Sequence, residues 1–384
     1  MYYKKMIAIL LFMVVGGLVG CKAEEKEVVH TFAEEPQKEV NMHQSNLDVV
    51  VPKAYNNVEG LFVEPESTIS VIGRSGEKEY WAAVQEGALQ AVEDLNASLG
   101  YEGKEELQLD YKTPSEESDV DEQVNLLDES LDRYPLAVGI SIVDAASCSV
   151  QFELAAENDI PVVAFDSGSN YEDISAMVTT DYAKASSFAG EQLCKSMGEK
   201  GDIVLLLHEE DTLSSLACKD GFLLEIEKHP DVRVLNTYHL NEFEELRQII
   251  ANSSEEEEEV PEADLSAISD QEVIAYILEQ NPTAKGFFSS SGRITTLLTD
   301  ALNEAEYTDV SVVGYGGEKR HREQILSGQI KGLIIENPYG IGYATVVAAC
   351  RAATGMGNEA EIDTGFFYLN SLNMDQESIQ KILY

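Results

Sequence analysis

The stretch TISVIGRSGEKEYWAAVQEGALQAVEDL, residues 68–95, decides the fold. It opens on Thr68, Ile69, Val71 and Ile72, β-branched residues that suit a buried, pleated strand. After a loop, Trp81, Val84, Ala88, Val92 and Leu95 recur at intervals of three or four residues, the spacing of one helix face. A strand therefore feeds a helix. The same rhythm continues outward. LQLDY (107–111) precedes a helix striped by Val124, Leu127 and Leu131, and LAVGISIV (136–143), a helix through Phe152 to Asn158 and PVVAF (161–165) follow. The second half repeats it: DIVLLL (202–207), a helix around Gly221 to Glu227, VRVLNTY (232–238), a helix near Glu242 to Ala251, KGFF (285–288), a helix from Ile294 to Ala305, and VSVVGY (310–315). Strands alternating with helices of this length predict parallel sheets covered on both faces. Two series of about five strands each predict an α/β chain of two doubly wound lobes in place of one large sheet.

Composition agrees with a folded protein and narrows its partners. Of 384 residues, 44% are apolar and 25% charged, with 26 Lys and Arg against 70 Asp and Glu and a formal charge of −44. A basic groove for phosphates cannot be assembled from so few cations, which excludes nucleic acid and disfavours an anionic membrane surface. The first residues carry a different signal. Lys4 and Lys5 precede an apolar run from Met6 to Val19, too short to span a bilayer and placed as in a secretion signal. Residues 22–66 then show no sustained period and are punctuated by Pro36, Pro52 and Pro65, which reads as a flexible tether. The acidic run from Ser253 to Asp270 reads as a solvated insertion in a loop. Cys148, Cys194, Cys218 and Cys350 lack metal-ligand spacing and read as buried free thiols, although a disulfide in an oxidising compartment stays open.

Several segments together carry a family resemblance. LVGC (18–21) resembles the lipobox of bacterial lipoproteins, which implies lipid attachment at Cys21 after removal of residues 1–20. EYWAAVQEGALQAVEDL (79–95), DIPVVAFDSG (159–168), CKDGF (218–222), VVGYGG (312–317), LIIENP (333–338) and GFFYLNSLNMD (365–375) resemble, in order, landmarks of the type I periplasmic-binding-protein-like solute-binding proteins of the ribose- and galactose-binding branch. The resemblance spans about Thr68 to Tyr384. It implies a Venus flytrap of two lobes joined by three crossover strands. The first lobe is expected at 67–180 plus 338–362, and the second at 181–337 plus 363–384, with the acidic insertion at 252–270. Cys21 and the tether would occupy 21–66.

Ligands of open α/β sheets bind beyond the carboxyl ends of the strands. Here those ends are Arg74–Ser75, Asp144, Asp166–Ser167, His208–Glu209, Ser290–Ser291, Tyr315–Gly316 and Glu336–Asn337. The resemblance makes Tyr80 and Trp81 the paired aromatics that stack on a sugar, although Trp81 also heads an apolar stripe and reads equally as core. It makes Asp166 the sugar-binding acid and puts Glu336 at the third crossover, in ligand contact. Ser291 and Arg74 complete the candidate set. Other positions depart from the family pattern: Ser167, Cys218, Ser291-Gly292 and Gly316 stand where Arg, Arg, Asn-Asp and Asp are expected. A common pentose or hexose held in the usual way is thereby put in question, and a roomier cleft is expected.

The six His are dispersed, His208-Glu209-Glu210 is the only compact His and acid cluster, and nucleophile-elbow, P-loop and HExxH motifs are absent. The chain is expected to be no enzyme and to hold neither cofactor nor metal. The expected ligand is small, mostly neutral and polyhydroxylated. The expected partner is an ABC importer, with a sensor kinase or chemoreceptor as the alternative, and the protein is expected as a monomer held to the extracytoplasmic membrane face by its lipid alone.

Overall fold

The computed structural model describes residues 42–384 apart from 76–78, 117–118, 167, 170, 209–211, 254–264, 308, 381 and 383–384. The expected signal peptide, Cys21, the first part of the tether, Ser167, Glu209, Glu210 and the centre of the acidic insertion lie outside the described residues.

In chain order the elements are α1 (Gln44–Asp48), β1 (Thr68–Ile72), α2 (Glu79–Leu99), β2 (Gln108–Lys112), α3 (Val120–Leu131), β3 (Ala137–Ile140), α4 (Ser149–Glu157), β4 (Val162–Phe165) and β5 (Ala176–Thr179). The chain then passes to α5 (Tyr182–Ser196), β6 (Gly201–Leu207), α6 (Leu213–Ile226), β7 (Val232–His239), α7 (Phe243–Ser253), α8 (Asp270–Gln280), β8 (Ala284–Ser289), α9 (Gly292–Glu304), β9 (Ser311–Tyr315), α10 (Lys319–Ser327) and β10 (Gly332–Glu336). It returns through α11 (Pro338–Ala353) and β11 (Glu361–Asp363), and ends with β12 (Phe366–Leu369) and α12 (Glu377–Gln380). The first sheet has the order β11-β5-β4-β3-β1-β2 and the second β12-β10-β9-β8-β6-β7. All pairings within the sheets are parallel except β10 with β12. The chain thus crosses between sheets three times, after β5, β10 and β11. The crossovers also bond to one another: the Thr364 N–H donates to the Thr179 carbonyl (2.9 Å) and the Asn337 amide to the Thr364 carbonyl (2.8 Å).

Local chemistry starts the helices where the strands stop. Asp119, Asp181, Thr212, Ser269, Ser291 and Asn337 each accept a backbone N–H from the first turn of α3, α5, α6, α8, α9 and α11 respectively. Pro338, lacking an N–H, stands at the start of α11, where none is needed. Helix α2 buries Trp81, Val84, Ala88, Ala91, Val92 and Leu95 against the first sheet and α11. The close crossing of α2 and α11 depends on two glycines. A Cβ at Gly87 would lie 2.0 Å from the Tyr339 carbonyl oxygen, and one at Gly342 would lie 1.9 Å from that of Val84. Among the described residues, Cys148, Cys194, Cys218 and Cys350 are buried free thiols.

The structure corrects the tether. Residues 42–66 do not hang free: α1 and the turns after it bury Leu47, Val50, Tyr55, Val58, Leu61 and Val63 in the first-lobe core. The segment also bonds to the crossovers. The Asn46 amide donates to Asn337 Oδ1 (3.0 Å), the Asn337 amide donates to the Asn46 carbonyl (2.7 Å), and Val51 and Asp363 exchange backbone hydrogen bonds (2.8 and 3.0 Å). The physical reason is apolar burial, which exceeds what the proline-punctuated, aperiodic local sequence suggests. The acidic insertion is narrower than 252–270. Its N-terminal edge belongs to α7, and Leu265–Ala267 forms a 3-10 turn whose neighbour Ile268 accepts a hydrogen bond from Arg247 Nε (2.8 Å).

Candidate functional site

A cavity of about 600 Å³ lies between the lobes, at the carboxyl ends of both sets of strands. All six residues selected from the sequence line it: Arg74, Tyr80, Trp81, Asp166, Ser291 and Glu336. Of the other strand ends, His208, Ser290 and Gly316 also line it. Asp144 does not; its carboxylate accepts the Ser147 N–H (2.6 Å) in the loop before α4.

Asp166 sits immediately after β4 with φ of +66°, a left-handed conformation that Asp tolerates better than most residues and that often marks functional positions. Its backbone is fixed from β5: its N–H donates to the Val178 carbonyl (2.9 Å), and its carbonyl accepts the Thr179 hydroxyl (2.7 Å). Its carboxylate is aimed by two hydroxyls, Tyr80 on Oδ1 (2.7 Å) and Ser141 on Oδ2 (3.1 Å). Glu336, at the end of β10 and so at the second crossover and not the expected third, is held in the same way from the other lobe, by the Tyr182 hydroxyl on Oε1 (2.6 Å). Burial and the nearby charge of Asp166 push Glu336 up to about 7, against the lowering effect of the Tyr182 bond. Burial, with the neighbouring carboxylates adding to it, raises Tyr80 and Tyr182 well above the ordinary tyrosine range, so both remain hydroxyl donors.

Trp81 is core and wall at once. It is only 6% exposed and belongs to the first-lobe core, yet it lines the cavity. It meets Tyr80 edge-on at 5.2 Å between ring centres and Phe165 at 6.4 Å. Arg74 donates to the Ile142 carbonyl (3.1 Å), while its buried Nε has no partner among the described residues.

The second-lobe wall is built of small groups. Ser291 is turned to its own helix, accepting the Ile294 N–H (3.3 Å) as the cap of α9. Gly316 has φ of +138°, and a Cβ there would lie 2.5 Å from Nδ1 of the buried His321. Cys218 accepts the Ser186 hydroxyl (2.9 Å), and burial pushes its thiol up to about 12, so it is neutral. Thr212, Ser214, Ser215 and Ser290 add hydroxyls, and Arg293, Glu318, Lys319 and Arg320 form the rim.

Sequence reasoning missed Tyr182, the partner of Glu336. Its place directly after the first crossover, one residue past the Asp181 cap, was the available signal. It also missed the rim. Among the described residues, no group of three or more His, Cys, Asp or Glu could hold a metal ion, and no helix is long and apolar enough to cross a membrane.

Known proteins resemble this chain in sequence and fold. The D-apiose import binding protein of Actinobacillus succinogenes is 26% identical over 287 residues, covering 73% of this chain and 80% of the relative. The ribose import binding protein of Escherichia coli is 20% identical over 290 residues, covering 76% and 86% respectively. A carbohydrate transporter solute-binding protein of Agrobacterium radiobacter, solved with D-arabinose, superposes with a TM-score of 0.66 at 24% identity, over 83% of this chain and 99% of that one. The family model described as "Periplasmic binding protein domain" matches residues 69–357, a span that takes in Tyr80, Asp166, Tyr182 and Glu336 and runs through both lobes. With that span of its 384 residues matched, and with the two-sheet, three-crossover topology that accompanies it, this chain belongs to the periplasmic binding protein domain family.

Proposed function

We propose that the protein is an extracytoplasmic solute-binding protein, lipid-anchored through Cys21, which clamps a carbohydrate or related polyhydroxylated molecule between its lobes and delivers it to an ABC importer. The observation that carries this reading is the pair of Tyr-aimed carboxylates, Asp166 from one lobe and Glu336 from the other, facing one interlobe cavity beside Tyr80 and Trp81. Carboxylates accept hydroxyl hydrogens strongly, and aromatic faces cover the C–H surface of a sugar ring. The import roles of the apiose- and ribose-binding relatives support delivery to a transporter. Closure would follow ligand binding by shifting an open–closed equilibrium about the three crossovers. The LVGC motif supports the anchor.

A thermal-shift screen with sugars, polyols and nucleosides tests the reading, since a bound ligand raises the unfolding temperature by mass action. Asp166→Ala should then weaken binding of a hit by about tenfold to over a hundredfold, the loss of about 1.5–3 kcal/mol from a charge-assisted hydrogen bond. The apo fold should be unchanged. A hit held equally by Asp166→Ala and by Glu336→Ala would overturn the site. For the anchor, wild type should take up a palmitate analogue and Cys21→Ala should accumulate as precursor; a processed, membrane-bound mutant would refute it.

A further inference from the structure

The charge around the cavity is unevenly placed. Four cations line it, but among the described residues none lies within ion-pair distance of Asp166 or Glu336. Arg293 is paired with Asp270 (2.5 Å) and Arg320 with Asp300, so the rim largely neutralises itself. Lys319 stands beside Glu318 on that same rim. Arg74 reaches the Ile142 carbonyl. Deep in the cleft, two carboxyl groups are therefore left facing the ligand with phenols and a serine as their only side-chain donors among the described residues. Glu336 Oε2 accepts nothing from the described residues. Two like charges in a partly desolvated cleft without a counter-ion are unfavourable, and burial together with Asp166 accordingly pushes Glu336 up to about 7. A second observation comes from the opposite wall. Ser215, in the first turn of α6, is 5% exposed and lines the cavity, yet its hydroxyl has no partner among the described residues.

We propose that the natural ligand carries a cationic nitrogen, as in an amino sugar, and that Asp166 and Glu336 receive this ammonium group together while hydroxyls of the same ligand meet Ser215 and the second-lobe wall. The inference rests on the polyhydroxylated-ligand reading above and names the class within it. The ammonium supplies the charge and the donors that the cleft lacks, converting a repulsive carboxyl pair into a charge-assisted set. It also explains the departures from the family pattern. Where an Arg and an Asp are expected, Cys218 and Gly316 stand, so these two positions bring neither a cation to compete for the two acids nor a further acid. The formal charge of −44 favours the approach of a cation over that of an anion.

Isothermal titration with matched sets tests it: D-glucosamine, D-galactosamine and D-mannosamine, each against its neutral parent hexose and its N-acetyl derivative. At least one amine should bind tenfold or more tightly than both neutral partners, with affinity falling as salt rises. Asp166→Asn and Glu336→Gln, which keep hydrogen-bonding capacity and remove charge, should cut amine affinity by tenfold or more. The loss should be larger for the amine than for its neutral parent sugar. A neutral sugar bound as tightly as its amine overturns the inference and leaves the carbohydrate reading standing. Failure of every amine, neutral sugar and N-acetyl sugar to bind, with a hit from another class in the thermal screen, overturns both.

Discussion

The two walls of the cleft are built on different principles. On the first-lobe side, the groups that face the cavity also hold the lobe together. Trp81 fills the core under Tyr80 and Phe165, and the Asp166 backbone is fixed to β5. On the second-lobe side, the facing groups are small or already occupied: Ser291 caps α9, Cys218 is bonded to Ser186, and Gly316 gives way to His321. One wall is therefore rigid and chemically committed. The other is built mainly of small hydroxyl-bearing groups, Thr212, Ser214, Ser215 and Ser290, under a charged rim.

That contrast can be broken by ranking substitutions. Trp81→Ala should have the largest effect, a loss of about 3–5 kcal/mol in unfolding free energy from a buried aromatic in a packed core. Denaturant unfolding measures it, and a loss below 1 kcal/mol would show that Trp81 is a platform without a structural share. Glu336→Gln comes next and sharpens the role of the crossover. Because folding raises this carboxyl from 4.5 to about 7, the folded protein holds a proton in that window that the unfolded chain has released, so stability falls as pH rises through it. The apo variant should exceed wild type by about 1–3 kcal/mol near pH 8 and match it near pH 4.5. Identical pH profiles for the two proteins would remove the repulsion with Asp166 from the argument. The smallest effect is expected from Ser291→Ala, about 1 kcal/mol from a lost helix cap. Its ligand affinity should stay within threefold of wild type. A hundredfold loss of affinity there would show that the second wall binds through its side chains after all.

The lobes were legible because strand and helix periods repeat within each of them, and periodicity is a local signal. The first-lobe site residues were legible for a related reason: a strand end followed by a patterned helix marks Arg74, Tyr80 and Trp81, and PVVAFD marks Asp166. Residues 42–66 were misread because their buried positions, Leu47, Val50, Tyr55, Val58, Leu61 and Val63, follow neither period. What they pack on includes Tyr343 and Ile362, residues from the far end of the chain, and no local window holds both partners. Tyr182 escaped notice because it lies at the start of a helix and not at the end of a strand. Whether Trp81 is core or platform had no answer in sequence, since one side chain serves both.

The docking of residues 42–66 also fixes an order of events. Asn46 and Asn337 are 291 positions apart, and Val51 pairs with Asp363. This early segment can therefore reach these partners only after almost the whole chain has been made. The stretch from Tyr182 to Glu336 contains five of the six strands of its sheet without interruption and can collapse on its own contacts as soon as it is complete. The first lobe cannot, because its central helix α11, its edge strand β11 and the surface that receives Asn46 all arrive last. Contacts of such long sequence separation form slowly. The N-terminal lobe is thus the late-maturing half of the molecule, and through all that interval the apolar residues of 42–66 remain without the surface that buries them.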